Sequence, residues 1–280
     1  IIMKVKLASN YGFCFGVKRA IKIAEDYKNS STMGPLIHNQ DEINRLRNDF
    51  NVGLYTNLSD VKDSDTVIIR THGIPKDDLK NLRAQKAKII NATCPFVTTP
   101  QQIVKKMSKE GYSILIFGDA DHPEVKGVQS YGEDQNDVHI ILEPSDIENL
   151  VFKNNKIATV AQTTKKKEKY LEIVNALILK NKEVRVFNTI CDATFENQDA
   201  ARDLSKEVDV MIVIGGKNSS NTKQLHSICL ENCADSYLIE NETELENAWF
   251  LNKKLCGITA GASTPDWIIQ QVVKNVESLN

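Results

Sequence analysis

The chain has 280 residues, 41% of them hydrophobic and 26% charged, an ordinary globular composition long enough for one large domain or two to three small ones. Its net charge of −2 provides no electrostatic footprint for nucleic acid or an anionic membrane, and no apolar run approaches a membrane span. The N-terminal region lacks a signal peptide's apolar segment, so a cytoplasmic protein is expected, with Ile1 and Ile2 ahead of Met3 read as additions to the native chain.

Residues 4–8 read as a strand, with Val5 and Leu7 alternating with polar residues. Val17, Ala20, Ile21 and Ala24 recur at spacings of three and four and predict a helix over 17–26. A short strand ends at Met33-Gly34-Pro35, and a helix is expected over 39–48. Residues 66–70 form a strand that stops at Thr71-His72-Gly73, followed by a helix over 77–85 and a strand over 87–91. The cycle repeats with a helix over 100–110, strand Ser113–Phe117, a short helix over 125–130 and a strand over 139–142. It continues with a strand over 157–161, a helix over 169–180 and a strand over 184–187. A third round has helices over 197–207, 222–232 and 265–277, with strands over 209–214, 236–239 and 255–259. Alternating strands and helices imply parallel sheets built from βαβ crossovers. Three α/β lobes are expected, over 1–93, 94–190 and 191–280, and the absence of Pro/Gly/Ser-rich linkers predicts that they pack closely.

Three cysteines occupy matching places in this repeat. Cys14 lies in Tyr11-Gly-Phe-Cys-Phe-Gly-Val17, Cys94 in Asn91-Ala-Thr-Cys-Pro-Phe-Val97 and Cys191 in Asn188-Thr-Ile-Cys-Asp-Ala-Thr194. Each follows a strand-like run and precedes a helix-like one. Each is followed at similar distance by a glycine (Gly34, Gly118, Gly215), and four residues past each glycine stands His38, His122 or Ser219. A single buried cysteine is usually a small hydrophobe. Three in equivalent loops read instead as metal ligands converging on a pseudo-threefold axis, with one metal position left open. Zinc is compatible, although its sites commonly use closely spaced pairs. Ligation by thiolates alone also suits a cubane iron–sulfur cluster. Cys229, Cys233 and Cys256 lack the repeated setting and read as core or helix-face residues.

His38, His72 and His122 fall at strand-end loops and favour a polar ligand site, since histidine can donate to an anion or pass protons near neutral pH. His139 and His226, inside a strand and a helix, read as structural. Asn218-Ser219-Ser220-Asn221-Thr222 opens a helix. An ordinary N-cap is the plain reading, and an anion cradle of N–H groups, hydroxyls and helix dipole is the functional one. Ser263-Thr264-Pro265 marks another such start. Glu124, in His122-Pro123-Glu124, is by default a surface glutamate at a helix start; in a closed cavity it could shuttle protons. Thr163 is either a cap or a hydrogen-bond partner for a substrate hydroxyl. Lys165-Lys166-Lys167 reads as a solvated helix start.

The segments Gly12-Phe-Cys14-Phe-Gly-Val, Gly34-Pro-Leu-Ile-His38-Asn, Thr71-His72-Gly73, Ala92-Thr-Cys94-Pro, His122-Pro-Glu124, Gln162-Thr163-Thr164, Cys191-Asp-Ala-Thr, Asn218-Ser-Ser-Asn221 and Gly261-Ala-Ser263 together resemble the LytB/IspH family of 4-hydroxy-3-methylbut-2-enyl diphosphate reductases over nearly the whole chain. The resemblance implies three α/β lobes arranged as a cloverleaf around a [4Fe–4S] cluster, one per chain, ligated by Cys14, Cys94 and Cys191. It implies reductive dehydroxylation of the allylic diphosphate at the open iron, giving isopentenyl and dimethylallyl diphosphates as the last step of the non-mevalonate isoprenoid pathway. By position, His38, His72, His122, Ser219, Ser220, Asn221 and Ser263 hold the diphosphate, while Thr163 and Glu124 serve the substrate hydroxyl and a proton relay, with His122 beside them. No flavin or nicotinamide motif is visible, so the electrons are expected from an external donor such as ferredoxin or flavodoxin. The chain ends soon after its last helix, so tail-dependent lid contacts are not expected. Two other readings keep the same thiols: a zinc-dependent diphosphate-ester hydrolase and a non-enzymatic iron–sulfur sensor.

Overall fold

A computed structural model describes residues 3–278; Ile1 and Ile2 lie outside the described residues. The strands are β1 (Lys4–Leu7), β2 (Ser31–Met33), β3 (Gly53–Tyr55), β4 (Thr66–Ile69), β5 (Lys88–Asn91), β6 (Ser113–Phe117), β7 (Val138–Ile141), β8 (Lys156–Ala161), β9 (Glu183–Val186), β10 (Val210–Ile214), β11 (Ser236–Ile239) and β12 (Leu255–Ala260). They form three four-stranded sheets, ordered β3-β2-β4-β5, β7-β6-β8-β9 and β1-β12-β10-β11. Every pairing is parallel. The helices are α1 (Phe15–Asp26), α2 (Gln40–Phe50), α3 (Lys76–Ala84), α4 (Pro95–Lys109), α5 (Pro123–Gln129), α6 (Lys167–Lys180), α7 (Asp192–Ser205), α8 (Ser220–Leu230) and α9 (Asp266–Ser278). The α/β class and its parallel sheets are as expected.

The chain divides into two compact units. The first comprises the N-terminal segment to Lys18, Ile37–Arg45 and the chain from Asp192 onward, and holds the sheet of β1, β10, β11 and β12. Strand β10 is buried along its whole length. Its period-two alternation sends Val210, Ile212 and Ile214 to a core with Ile268, Ile269, Val272 and Val276 of α9, and Met211 and Val213 to a core with Leu204 of α7 and Leu225 of α8. Each such aliphatic side chain contributes about 1.5–3 kcal/mol by burial.

The second unit comprises Arg19–Leu36 and Leu46–Cys191 and holds the other two sheets. In one, Met33, Val67 and Ile69 pack with Leu82 of α3. In the other, Ile114, Ile116, Ala158 and Val160 pack with Val104 and Met107 of α4 and Val125 and Val128 of α5.

Three local differences from expectation have physical causes. Helices α4 and α7 begin at Pro95 and Asp192, directly after a cysteine, instead of near 100 and 197. Pro95 takes the first helical position, where its missing N–H costs nothing. Pro100 lies inside α4, and the Thr98 and Thr99 hydroxyls donate to the Pro95 carbonyl at 2.8 and 3.1 Å. Strand β3, three residues long, is too short to register as a periodic pattern. Strand β1, at the start of the chain, pairs with β12 in the sheet of the C-terminal strands rather than with β2 to β5.

Candidate functional site

All strands of a parallel sheet end on the same side, and ligands sit where the strand order reverses direction. The reversals lie between β2 and β4, between β6 and β8, and between β10 and β12. The loops at these points carry Gly34 with Thr71-His72, Gly118 to Glu124 with Gln162-Thr163, and Gly215 to Asn221 with Gly261 to Ser263. The fourth strand of each sheet, β5, β9 or β1, leads into a cysteine.

The three cysteines share one backbone tie. Cys94 N–H donates to Thr71 O (2.9 Å), Cys191 N–H to Thr163 O (3.0 Å) and Cys14 N–H to Ala262 O (3.2 Å). Each acceptor lies in the loop after the neighbouring strand, β4, β8 or β12. All three thiols are half-buried and stand immediately before α4, α7 and α1, at helix N-termini that favour negative charge. None of the six cysteines is in a disulfide. Cys229 and Cys256 are core residues whose thiol pKa burial pushes up to about 12, so they remain protonated packing groups, as expected. Cys233 lies just past the end of α8 with its sulfur facing the Asp235 carbonyl.

In the second unit, four predicted site residues come together. Glu124, at the start of α5, is only 1% exposed, which overturns the default reading of a surface glutamate. Thr163 grips it twice: its N–H donates to Oε1 and its hydroxyl to Oε2, both at 2.7 Å. Burial pushes the Glu124 pKa up, against the opposing pull of these two donors and the nearby Lys165 charge. His122 caps α5, its Nδ1 accepting from Glu124 N–H at 3.2 Å. An accepting Nδ1 places the proton of the neutral ring on Nε2. The His72 ring meets His122 edge-on, with centroids 5.4 Å apart. The Thr71 hydroxyl donates to Leu36 O at 2.7 Å, leaving its oxygen to face His72 Nδ1 at 3.4 Å. Lys165 is not solvated: it is 8% exposed, with its ammonium over the Phe117 ring.

In the first unit, Ser219 caps α8 by accepting from Thr222 N–H at 3.3 Å, and Ser220 and Asn221 form the first turn. Asn221 is 4% exposed, and neither end of its amide has a hydrogen-bond partner among the described residues. A buried amide in that state calls for a partner from outside the chain, a water or a ligand. The Ser263 hydroxyl donates to His38 O at 3.4 Å. The same carbonyl presses on Gly216, where an added Cβ would stand 2.2 Å from His38 O, so only glycine fits. The turn after His38 is fixed by residues that sequence reasoning passed over. Asn39 caps α2 at Glu42 N–H (2.9 Å), and the buried Glu42 carboxylate accepts from both Arg45 (3.0 and 2.7 Å) and Trp267 Nε1 (3.1 Å) of α9. The Asn39-x-x-Glu42 capping pattern was a signal available in the sequence.

His139 lies in β7 beside Asp137, and His226 Nε2 bonds Ser236 O at 2.9 Å; both are packing residues, as expected. Arg70 follows β4 directly.

The LytB protein family model matches residues 5–277. The chain is 65% identical over 277 residues to the 4-hydroxy-3-methylbut-2-enyl diphosphate reductase of Sulfurovum sp. (strain NBC37-1), covering 99% of this chain and 100% of that protein. It is 60% identical to the enzyme of the same name from Campylobacter concisus (strain 13826), covering 99% and 100%. Among solved structures, one of (E)-4-hydroxy-3-methyl-but-2-enyl diphosphate reductase, described as the terminal enzyme of the non-mevalonate pathway, aligns with a TM-score of 0.71 at 43% identity, covering 98% of this chain and 99% of that one. The Plasmodium falciparum reductase aligns with a TM-score of 0.91 at 28% identity, covering 98% and 88%.

Proposed function

The chain belongs to the LytB family, and we propose from this that it catalyses reductive dehydroxylation of 4-hydroxy-3-methylbut-2-enyl diphosphate to isopentenyl and dimethylallyl diphosphates, the last step of the non-mevalonate isoprenoid pathway. Replacing the allylic C–OH by C–H consumes two electrons and two protons and releases water. The observation that carries this reading beyond the likeness is the Glu124–Thr163 pair. Burial raises the pKa of this carboxyl, so it holds its proton to higher pH than an exposed glutamate does, and the Thr163 hydroxyl beside it can pass that proton to a leaving hydroxyl.

The donor set fits an iron–sulfur group. Cys14, Cys94 and Cys191 are three half-buried thiols on one repeated backbone tie, and an all-sulfur donor set suits iron–sulfur clusters. We assign them to a [4Fe–4S] cluster, which when bound supplies electrons and a Lewis-acidic iron. The remaining chemistry belongs to the chain. In the second unit, His72 and His122 donate to the diphosphate, His122 through Nε2–H. In the first, His38, Ser219, Ser220, Asn221 and Ser263 do so, with the dipole of α8 adding to them. Thr163 orients the substrate hydroxyl and Glu124 holds the proton. Burial of both excludes competing water. A small external redox protein, a ferredoxin or flavodoxin, delivers the electrons, and the cytoplasm is the proposed location. No described helix is long and apolar enough to cross a membrane. Division into three lobes near residues 93 and 190, with β1 lent to the third, belongs to the same reading.

The test is anaerobic purification with metal and sulfide analysis. Brown protein with iron and acid-labile sulfide is expected, and loss of both in Cys94→Ser. Colourless, zinc-loaded protein would contradict the assignment and favour the zinc-dependent hydrolase.

A further inference from the structure

Arg70 carries a charge that the protein does not compensate. It follows β4 directly and opens the turn Arg70-Thr71-His72-Gly73. The side chain is half-buried, yet among the described residues no carboxylate pairs with it. Burial alone lowers its pKa, with no neighbouring acid opposing the shift. A guanidinium stays protonated in proteins, and removing it from water without a counter-ion is unfavourable. Its position is nevertheless fixed. Nε donates to Gly73 O at 3.2 Å, closing the turn that presents His72. The guanidinium lies over Gly34, where an added Cβ would meet Nη1 at 2.6 Å. Gly34 has φ +73°, a left-handed conformation that favours glycine, and the end of the Arg70 side chain rests against the space a Cβ would take. Gly34 follows β2, so Arg70 bridges the two loops at the reversal between β2 and β4. The same turn sets the His72 ring edge-on to His122.

We propose that Arg70 is a further substrate-positioning residue, whose uncompensated guanidinium charge is matched by the substrate's diphosphate while its Nε bond holds the His72 turn in place. The proposal rests on the diphosphate reading above. It separates two contributions in one side chain: charge, which attracts the anion, and the bond to Gly73, which shapes the turn.

The experiment compares wild type, Arg70→Gln and Arg70→Lys, all anaerobic and cluster-loaded, by calorimetric titration with inorganic diphosphate across a salt series and by steady-state kinetics. Arg70→Gln is expected to weaken diphosphate binding by about tenfold, the usual worth of one charge-assisted interaction. It should also flatten the salt dependence and raise KM, with kcat changed by less than about threefold, since an interaction shared by ground and transition states moves KM alone. Arg70→Lys should retain most of the affinity and the salt slope. Unchanged affinity and salt slope in Arg70→Gln would overturn the proposal. So would equal losses in both variants, because the charge would then be irrelevant; this comparison decides the matter even where Arg70→Gln is destabilised. Failure of wild type to bind diphosphate would instead remove the functional reading on which the proposal rests.

Discussion

Glu124 and Thr163 form a carboxylate–hydroxyl pair held at both oxygens and shut away from solvent. The pair has consequences for catalysis and for stability. Glu124→Gln conserves volume and can still accept from Thr163, so the protein should fold and keep its iron while turnover falls by about 10²- to 10⁴-fold, the range for loss of a general acid. Single-turnover kinetics would measure this, and near-normal turnover would remove Glu124 from the mechanism. The stability effect has a definite sign. The folded-state pKa is raised, so the native protein binds this proton more tightly than the unfolded chain does. That contribution is present in full below the unfolded carboxyl pKa of about 4.3 and is lost as pH rises through the folded value. Anaerobic melting curves should therefore show wild type losing stability relative to Glu124→Gln as pH rises, whereas parallel curves would show that the carboxyl does not titrate abnormally. Much of this was legible in the sequence as a residue type in a loop: His122-Pro-Glu124 and Gln162-Thr163-Thr164 marked both partners. Burial was not. Whether a glutamate at a helix start faces water or a core depends on what packs over it, and that partner is 39 residues away in the chain. The burial of Lys165 is invisible in the sequence for the same reason, as its setting comes from Phe117 and not from its basic neighbours.

At the scale of elements, the period-two and three-to-four spacings located most strands and helices, because buried strands such as β10 and amphipathic helices such as α1 carry their packing in sequence. Boundaries at the cysteines were less visible. Phe15, Pro95 and Asp192 open their helices one residue after a ligand-type side chain, and the apolar pattern begins only a turn later. The repeat itself was legible, but its closure was not. Strand β1 occupies in its sheet the place that β5 and β9 occupy in theirs, and the bond from Cys14 N–H to Ala262 O is the counterpart of those to Thr71 and Thr163. Only strand pairing reveals that the chain's first strand completes the sheet made by its last. The close approach of Gly216 to the His38 carbonyl gives an element-level prediction. Gly216→Ala forces the two loops apart, at a cost of about 1–3 kcal/mol typical of overpacking. Its thermal midpoint should fall and its KM rise. A wild-type KM would show that the His38 loop does not need this contact.

For the molecule as a whole, three sheets with the same strand order deliver three thiols by the same backbone bond, while the loops beside them differ chemically. Histidines stand in two and serines with asparagine in the third. In the proposed function, the repeated part is assigned to a cluster seat, and the unlike part to recognition of a diphosphate and delivery of a proton. The core cysteines make a control for this division. Cys229 and Cys256, protonated and inside the core, should resist alkylation until the protein unfolds; rapid labelling of either in folded protein would contradict their placement. The central claim is the reaction itself. Anaerobic, cluster-loaded protein mixed with 4-hydroxy-3-methylbut-2-enyl diphosphate and a reduced one-electron dye should oxidise two dye equivalents per substrate and release isopentenyl and dimethylallyl diphosphates. Dye that stays reduced over intact substrate, in protein whose iron content is full, would contradict it.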